Sequence, residues 1–247
     1  MRKVLSSKLG TKRPSRKVID LLSGALILFT VFALFGATML TYSFDNSAQK
    51  VNGFAIYKAD PEEEAAGLMF NVYEGTENVM KILSILRRYS AKATFFIGGI
   101  WAEKNAETLL EIALNGHELA CHGYLHRDHS KMTIEQNKEE IAICSRLVEN
   151  VTGQKVKLFA PPSGAFSEST ERACKELGLK MILWTKDTID WRDRDVPLLV
   201  KRATKNISKG DLILMHSKDQ TVTALPQIIE AYQGKGYSLV TVSELIS

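Results

Sequence analysis

Cysteine is scarce: Cys121, Cys144 and Cys174 are the only three in 247 residues. An odd count with no paired spacing excludes a disulfide scaffold and a zinc knuckle, and three buried small hydrophobes are the expected reading. The chain has no internal repeat and no low-complexity tract, so solenoids, propellers and collagen-like folds are excluded. Acid is missing from residues 1–19, which hold seven cations (Arg2, Lys3, Lys8, Lys12, Arg13, Arg16 and Lys17). The remainder carries 25 Lys and Arg against 28 Asp and Glu, so the sequence pI of 8.8 describes a short tail. The basic pI therefore gives no case for nucleic acid as a partner.

Charge is also missing from Leu21 to Phe44, a run of 24 residues rich in Leu, Phe, Ala, Ile and Val. A helix crossing a bilayer needs about 20 apolar residues, and cations flank the cytoplasmic side. Residues 20–44 are therefore expected to be one transmembrane anchor. The basic tail 1–19 lies in the cytoplasm, 45–53 forms a linker, and a domain over 54–247 lies outside a cell membrane. A cleaved signal peptide is the alternative. Such peptides have apolar cores of about 7–15 residues and a small-x-small cleavage site. Asn46-Ser47-Ala48 fits that site poorly.

After the linker, short apolar runs alternate with amphipathic stretches. Strands are expected at 67–72, 93–97, 118–121, 156–160, 181–185, 212–215 and 238–242. Helices are expected at 77–89, 105–114, 134–150, 167–177, 197–206 and 223–233, with Thr133 as an N-cap. This alternation implies an α/β fold with right-handed crossovers, and about seven parallel strands suggest a (β/α) barrel. In such barrels chemistry sits at the C-terminal strand ends. The polar residues falling there are Asn71 and Glu74, the run His122-Gly123-Tyr124-Leu125-His126, then Pro161 to Gly164, Asp187 to Trp191, and His216. Two imidazoles four apart can converge on one divalent metal. A third histidine beside an aspartate suits a general acid. His117 opens a strand at the far end and His129 lies in a charged loop, so neither is assigned a role. Cys121 precedes His122 on a strand and is expected to face away from it.

These stretches resemble the polysaccharide deacetylase family, the NodB-homology carbohydrate esterases, over roughly residues 54–247. Residues 92–126 end in the His-x-x-x-His pattern. Phe159-Ala160-Pro161-Pro162-Ser163-Gly164 stands where the family has Arg-x-Pro-x-Gly. Residues 184–191 end in Asp190-Trp191, and 210–217 resemble the Leu-x-Leu-His ending. The resemblance implies a deformed (β/α) barrel with a divalent metal, zinc foremost, that removes N-acetyl groups from a peptidoglycan- or chitin-like polymer. It makes His122 and His126 the ligands, His216 the acid and Asp190 its partner. Trp191, Pro162, Ser163, Gly164 and Tyr124 would shape the groove.

The departures are as specific as the matches. The family's Thr-Phe-Asp-Asp-Gly is here Met69-Phe70-Asn71-Val72 followed by Tyr73-Glu74-Gly75. Asn71 takes the place of the base and Val72 that of the third ligand. Ala160 replaces the arginine that orients the base. An amide cannot take a proton from water near neutral pH and valine has no donor atom. The pattern is similar to a divergent, sporulation-type branch of the family. Glu74 and Glu77 in the same loop are the acids that could substitute. Two readings follow: a slow metal-dependent deacetylase, or a non-catalytic glycan-binding relative in wall or spore-envelope assembly.

Overall fold

The computed structural model describes residues 54–247. The expected membrane anchor lies outside them, and no helix among the described residues is long and apolar enough to cross a membrane. Strand β1 covers Ala55–Ile56, β2 Ala65–Val72, β3 Ala93–Ile97, β4 Glu118–Cys121 and β5 Leu158–Phe159. Strand β6 covers Lys180–Ile182, β7 Lys186–Asp187, β8 Leu212–His216 and β9 Ser238–Val240. Every pair is parallel, in the order β1-β6-β5-β4-β3-β2-β8-β7, with β9 on the first half of β2. Three residues separate β6, next to the end strand β1, from β7 at the other end of that order. Across this passage the Leu183 amide donates to Ile56 O at 2.8 Å and the Thr185 amide to Leu212 O at 3.0 Å. One stretch of chain thus touches both ends of the sheet, which curls into a half-barrel consistent with a deformed (β/α) barrel.

Strand alternation divides the apolar residues into two sets. Ala65, Met69, Phe96, Ala120, Leu158, Ala160, Ile182 and Leu212 face inward. Leu68, Phe70, Val72, Phe95, Ile97, Cys121, Phe159, Ile213 and Met215 face outward under the helices. The helices are α1 (Glu77–Arg88), α2 (Gly99–Lys104), α3 (Ala106–Leu114), α4 (Ile134–Thr152), α5 (Glu168–Glu176), α6 (Val196–Thr204), α7 (Asp219–Gln233) and α8 (Val242–Leu245). Helix α1 buries Val79, Ile82, Leu83 and Leu86, the stripe read from sequence, with Glu77 in its first turn and Arg87 and Arg88 in its last. Helix α4 starts at the expected Thr133, which forms a capping box with Gln136, and ends at Gly153 in the left-handed region.

The seven expected strands are present within a few residues, and the structure adds β1 and β7, two residues each. It also adds α2 and α8. Helix α7 begins one turn earlier than expected, at Asp219, with Pro226 inside it. The three cysteines are free and buried, as expected.

Candidate active site

The C-terminal ends of β2, β4 and β8 deliver the site. Asn71 lies beside His216 in the β2–β8 register. Both are buried, and Asn71 Oδ1 has no hydrogen-bond partner. His216 Nδ1 lies 2.7 Å from Asp190 Oδ1. Asp190 Oδ2 accepts from the His216 amide at 2.6 Å and from the Thr221 hydroxyl. The Asp190 carboxylate is fully buried, so these donors replace its lost hydration. Just before it, Ile189 sits at φ +57°, a position costly for a β-branched residue. Its amide donates to Asp187 Oδ1 at 2.7 Å, and its carbonyl accepts from the amides of Arg192 and Asp193. Those bonds hold the strained turn that aims Asp190 at His216. Burial raises the Asp187 carboxyl above its usual range.

His122 follows Cys121 on β4 and faces inward, while Cys121 packs in the outer core as expected. His122 Nδ1 lies 2.8 Å from Ala160 O, which makes Nδ1 the protonated nitrogen. Nε2 is left buried with a bare lone pair and no partner. The His126 ring stands 5.1 Å from the His122 ring, centroid to centroid. Burial, reinforced by the neighbouring imidazole, holds His122 well below the ordinary histidine pKa, and burial lowers His126 as well. Neutral imidazoles are the form that binds metal. An orphaned, correctly tautomeric Nε2 beside a second imidazole fits a divalent ion. No group of three His, Cys, Asp or Glu side chains able to hold an ion occurs among the described residues. These two imidazoles alone would hold such an ion more weakly than a His₂Asp set.

Val72 offers no donor atom to a metal. It is the outward residue between inward Asn71 and Tyr73, and it is fully buried in the outer core. Tyr73, which sequence reasoning passed over, stands among all three site histidines. Its ring centroid lies 4.3 Å from that of His126, 6.2 Å from His122 and 6.0 Å from His216. Strand alternation from Phe70 was the signal that could have found it. Burial, then the charge of Glu74, raises its phenol pKa.

The substitute acids are engaged elsewhere. Glu74 is exposed and ion-paired with Lys218, and its carbonyl accepts from the Ser217 hydroxyl at 3.0 Å. Glu77 points to solvent and pairs with Lys81 at 2.6 Å. Tyr124 leaves the groove and lies over α2, where its hydroxyl donates to Glu103 at 3.1 Å. The remaining groove residues stay at the rim. Trp191 is 53% exposed with the Arg192 guanidinium 5.7 Å from its ring centroid. Ser163, at φ +56°, and Gly164 follow buried Pro162. A side chain at Gly164 would strike the Trp184 indole, which adds that tryptophan to the wall. Ala160 is buried on the inner wall where the resemblance places an arginine. His117 lies at the opposite end, as expected. His129, expected in a charged loop, opens a 3₁₀ turn over His129–Lys131. It is fully buried, with Nδ1 2.6 Å from Asn137 Oδ1.

A curled parallel sheet with two imidazoles and an Asp–His pair at its C-terminal end is an arrangement suited to hydrolysis. A family model described as Polysaccharide deacetylase matches residues 58–182, and the chain belongs to that family, hydrolases acting on carbon–nitrogen bonds. It is 38% identical over 191 residues to the uncharacterised protein YlxY of Bacillus subtilis (strain 168), covering 77% of this chain and 60% of YlxY. It is 29% identical over 200 residues to a peptidoglycan-N-acetylglucosamine deacetylase of Bacillus cereus, covering 78% of this chain and 93% of that one. Among solved structures it resembles BA3943, a CE4 family pseudoenzyme from Bacillus anthracis. That match has a TM-score of 0.76 at 32% identity and covers 78% of this chain and 69% of BA3943. A mutant of BA3943 with restored enzymatic activity matches at 30% identity with the same TM-score.

Proposed function

We propose that this chain removes N-acetyl groups from a peptidoglycan- or chitin-like glycan, slowly, because its site keeps the acid and lacks the base. The assembled Asp190–His216 pair carries this reading. With Nδ1 committed to Asp190, the Nε2 of His216 is the nitrogen left to hold the proton that a departing amine requires. Asp190 keeps that tautomer and stabilises the imidazolium. Trp191, Trp184, Pro162 and Ser163 would line the path of the sugar. His122 and His126 would hold a divalent ion, zinc foremost, whose chemistry is to polarise the acetyl carbonyl and lower the pKa of water. Asn71 can orient water through its amide but cannot take a proton from it.

A non-catalytic reading, in which the groove binds glycan without turnover, is favoured by one specific observation. Asn71 Oδ1 is buried and unpartnered, and the next inward position holds Tyr73, an aromatic ring among the three imidazoles. The likeness to BA3943 supports the same reading. Acetate release from peptidoglycan and chitin oligomers decides between the two. The deacetylase reading expects slow release that His216→Ala abolishes. Glycan binding with no release from either protein would establish the second reading.

We further propose that residues 20–44 anchor the chain in a cell membrane with residues 54–247 outside. The 24 uncharged residues behind seven cations support this. Protease added to intact protoplasts should digest the domain, and full protection would sink the assignment.

A further inference from the structure

The second site histidine does not sit on a strand. From His122 at the end of β4 the chain must reverse within four residues to bring the His126 ring back to 5.1 Å from the His122 ring. That reversal uses the left-handed region twice, at Gly123 (φ +78°) and at His126 itself (φ +55°). Gly123 has no room for a side chain, since a Cβ there would lie 2.9 Å from His129 Nε2. Histidine at positive φ is held there at a cost by whatever fixes the turn.

The fixing contact comes from helix α4. Glu140 is buried, and one of its oxygens, Oε2, accepts from the amide of Tyr124 at 2.9 Å and from the amide of Leu125 at 2.8 Å. Those are the two residues between Gly123 and His126. Its other oxygen lies 3.8 Å from Arg127 Nε, so the charge is only loosely paired. One turn earlier on the same face, Asn137 accepts from His129 and donates to the carbonyls of His129, Met132 and Thr133. Bonds from ionised acceptors to backbone amides are stronger than neutral ones. The capping box at Thr133 fixes the start of α4 and hence the position of this carboxylate.

We propose that Glu140 is a positioning residue for the metal-binding pair, which by accepting the amide protons of Tyr124 and Leu125 sets the turn that delivers His126 to His122. The proposal rests on His122 and His126 being metal ligands.

Zinc affinity by equilibrium dialysis, with amide hydrogen exchange on the metal-free protein, tests it. Outer-sphere partners of ligating histidines are worth about 10–100-fold in metal affinity. Glu140→Ala should weaken zinc binding by that factor and speed exchange at Tyr124 and Leu125. Glu140→Gln keeps an oxygen that can accept both amides and should stay within roughly threefold of wild type. Leu225→Ala, a core truncation in α7, should lower thermal stability and leave zinc affinity unchanged. Should Glu140→Ala fail to fold, Glu140→Asp, which keeps the charge but withdraws the oxygen, is expected to lose affinity in its place. Zinc bound as tightly by the Ala or Asp variant as by wild type would overturn the proposal and leave the metal reading standing. Wild type binding no more zinc than the His122→Ala, His126→Ala double variant would overturn both.

Discussion

Val72 and Tyr73 are adjacent in the chain and face opposite sides of β2. Val72 lies in the outer core and Tyr73 among the rings of His122, His126 and His216. Of the two positions, 73 is the one whose side chain already lies among the imidazoles. Val72→Asp would place a charge in an apolar layer with no partner, at a cost of at least about 3 kcal/mol. Tyr73 is only half-buried, so Tyr73→Asp should fold and should raise zinc affinity above wild type. Urea denaturation and dialysis would check both, and a Val72→Asp protein of wild-type stability would refute the assignment of faces.

This pair shows where sequence reading succeeds and where it stops. Strands such as β2, β3 and β8 were legible because their apolar runs are long, and α4 because its cap chemistry is explicit. The strand-end rule found His122, His126, Asp190 and His216. Strand β7 was hidden because Lys186-Asp187 carries no apolar pattern, and its pairing with β8 is a long-range event. Helix α2 begins at Gly98-Gly99, residues that read as a break. Tyr73 lies one residue beyond the positions the motif match singles out, and strand alternation from Asn71 is what turns it toward the histidines. Glu140 gives a fainter signal, a charged residue within the buried stripe Asn137, Ile141, Cys144 and Val148.

Asp190 is the most heavily bonded group of the site, and two substitutions separate its roles. Asp190→Ala strands the His216 amide, the His216 ring and the Thr221 hydroxyl without their acceptor. A loss of about 2–4 kcal/mol is expected. Asp190→Asn keeps shape and one acceptor, so the melting temperature should move little. Its amide cannot hold the His216 tautomer or stabilise the imidazolium, and acetate release should fall by about 10²-fold. Unchanged release in the Asn variant would show that His216 is not the acid.

His117, remote from the site, governs part of the acid response. Burial, with Lys92 and Arg87 adding to it, pushes its pKa down to about 4. Unfolded, it titrates near 6.5. Between those values the unfolded chain binds a proton that the folded chain refuses. Stability is therefore full above about pH 6.5 and is lost as pH falls toward about 4, by an amount on the order of 2–3 kcal/mol. His117 Nδ1 has no partner and its ring lies 5.4 Å from Phe95, so His117→Phe should pack and remove the effect. Urea midpoints at pH 7.5 and pH 5 should differ less for the variant than for wild type. Equal differences would show that His117 does not carry the response.

The missing base is the most consequential feature of the site, and Asn71→Asp tests it directly. Asn71 faces inward beside His216, and its Oδ1 is buried with no partner to lose. A carboxylate there can take a proton from water, which the amide cannot. A recovered general base is worth 10²–10⁴-fold, and imperfect placement lowers the expected gain to at least about tenfold in acetate release. The position that would hold an arginine to orient this base is Ala160, buried on the inner wall with its carbonyl accepting from His122. Ala160→Arg alone would bury an unpaired charge and should destabilise the protein. In the Asn71→Asp background the new carboxylate could pair with it, and part of that stability should return. His216→Ala added to Asn71→Asp should remove the gain, because an amide nitrogen leaves poorly without a proton. A wild-type enzyme that is already fast and is slowed by Asn71→Asp would mean that another group serves as base. Tyr73, whose ring centroid lies 6.0 Å from that of His216, and Asp187, whose carboxyl feels the His216 charge, would then be the positions to change.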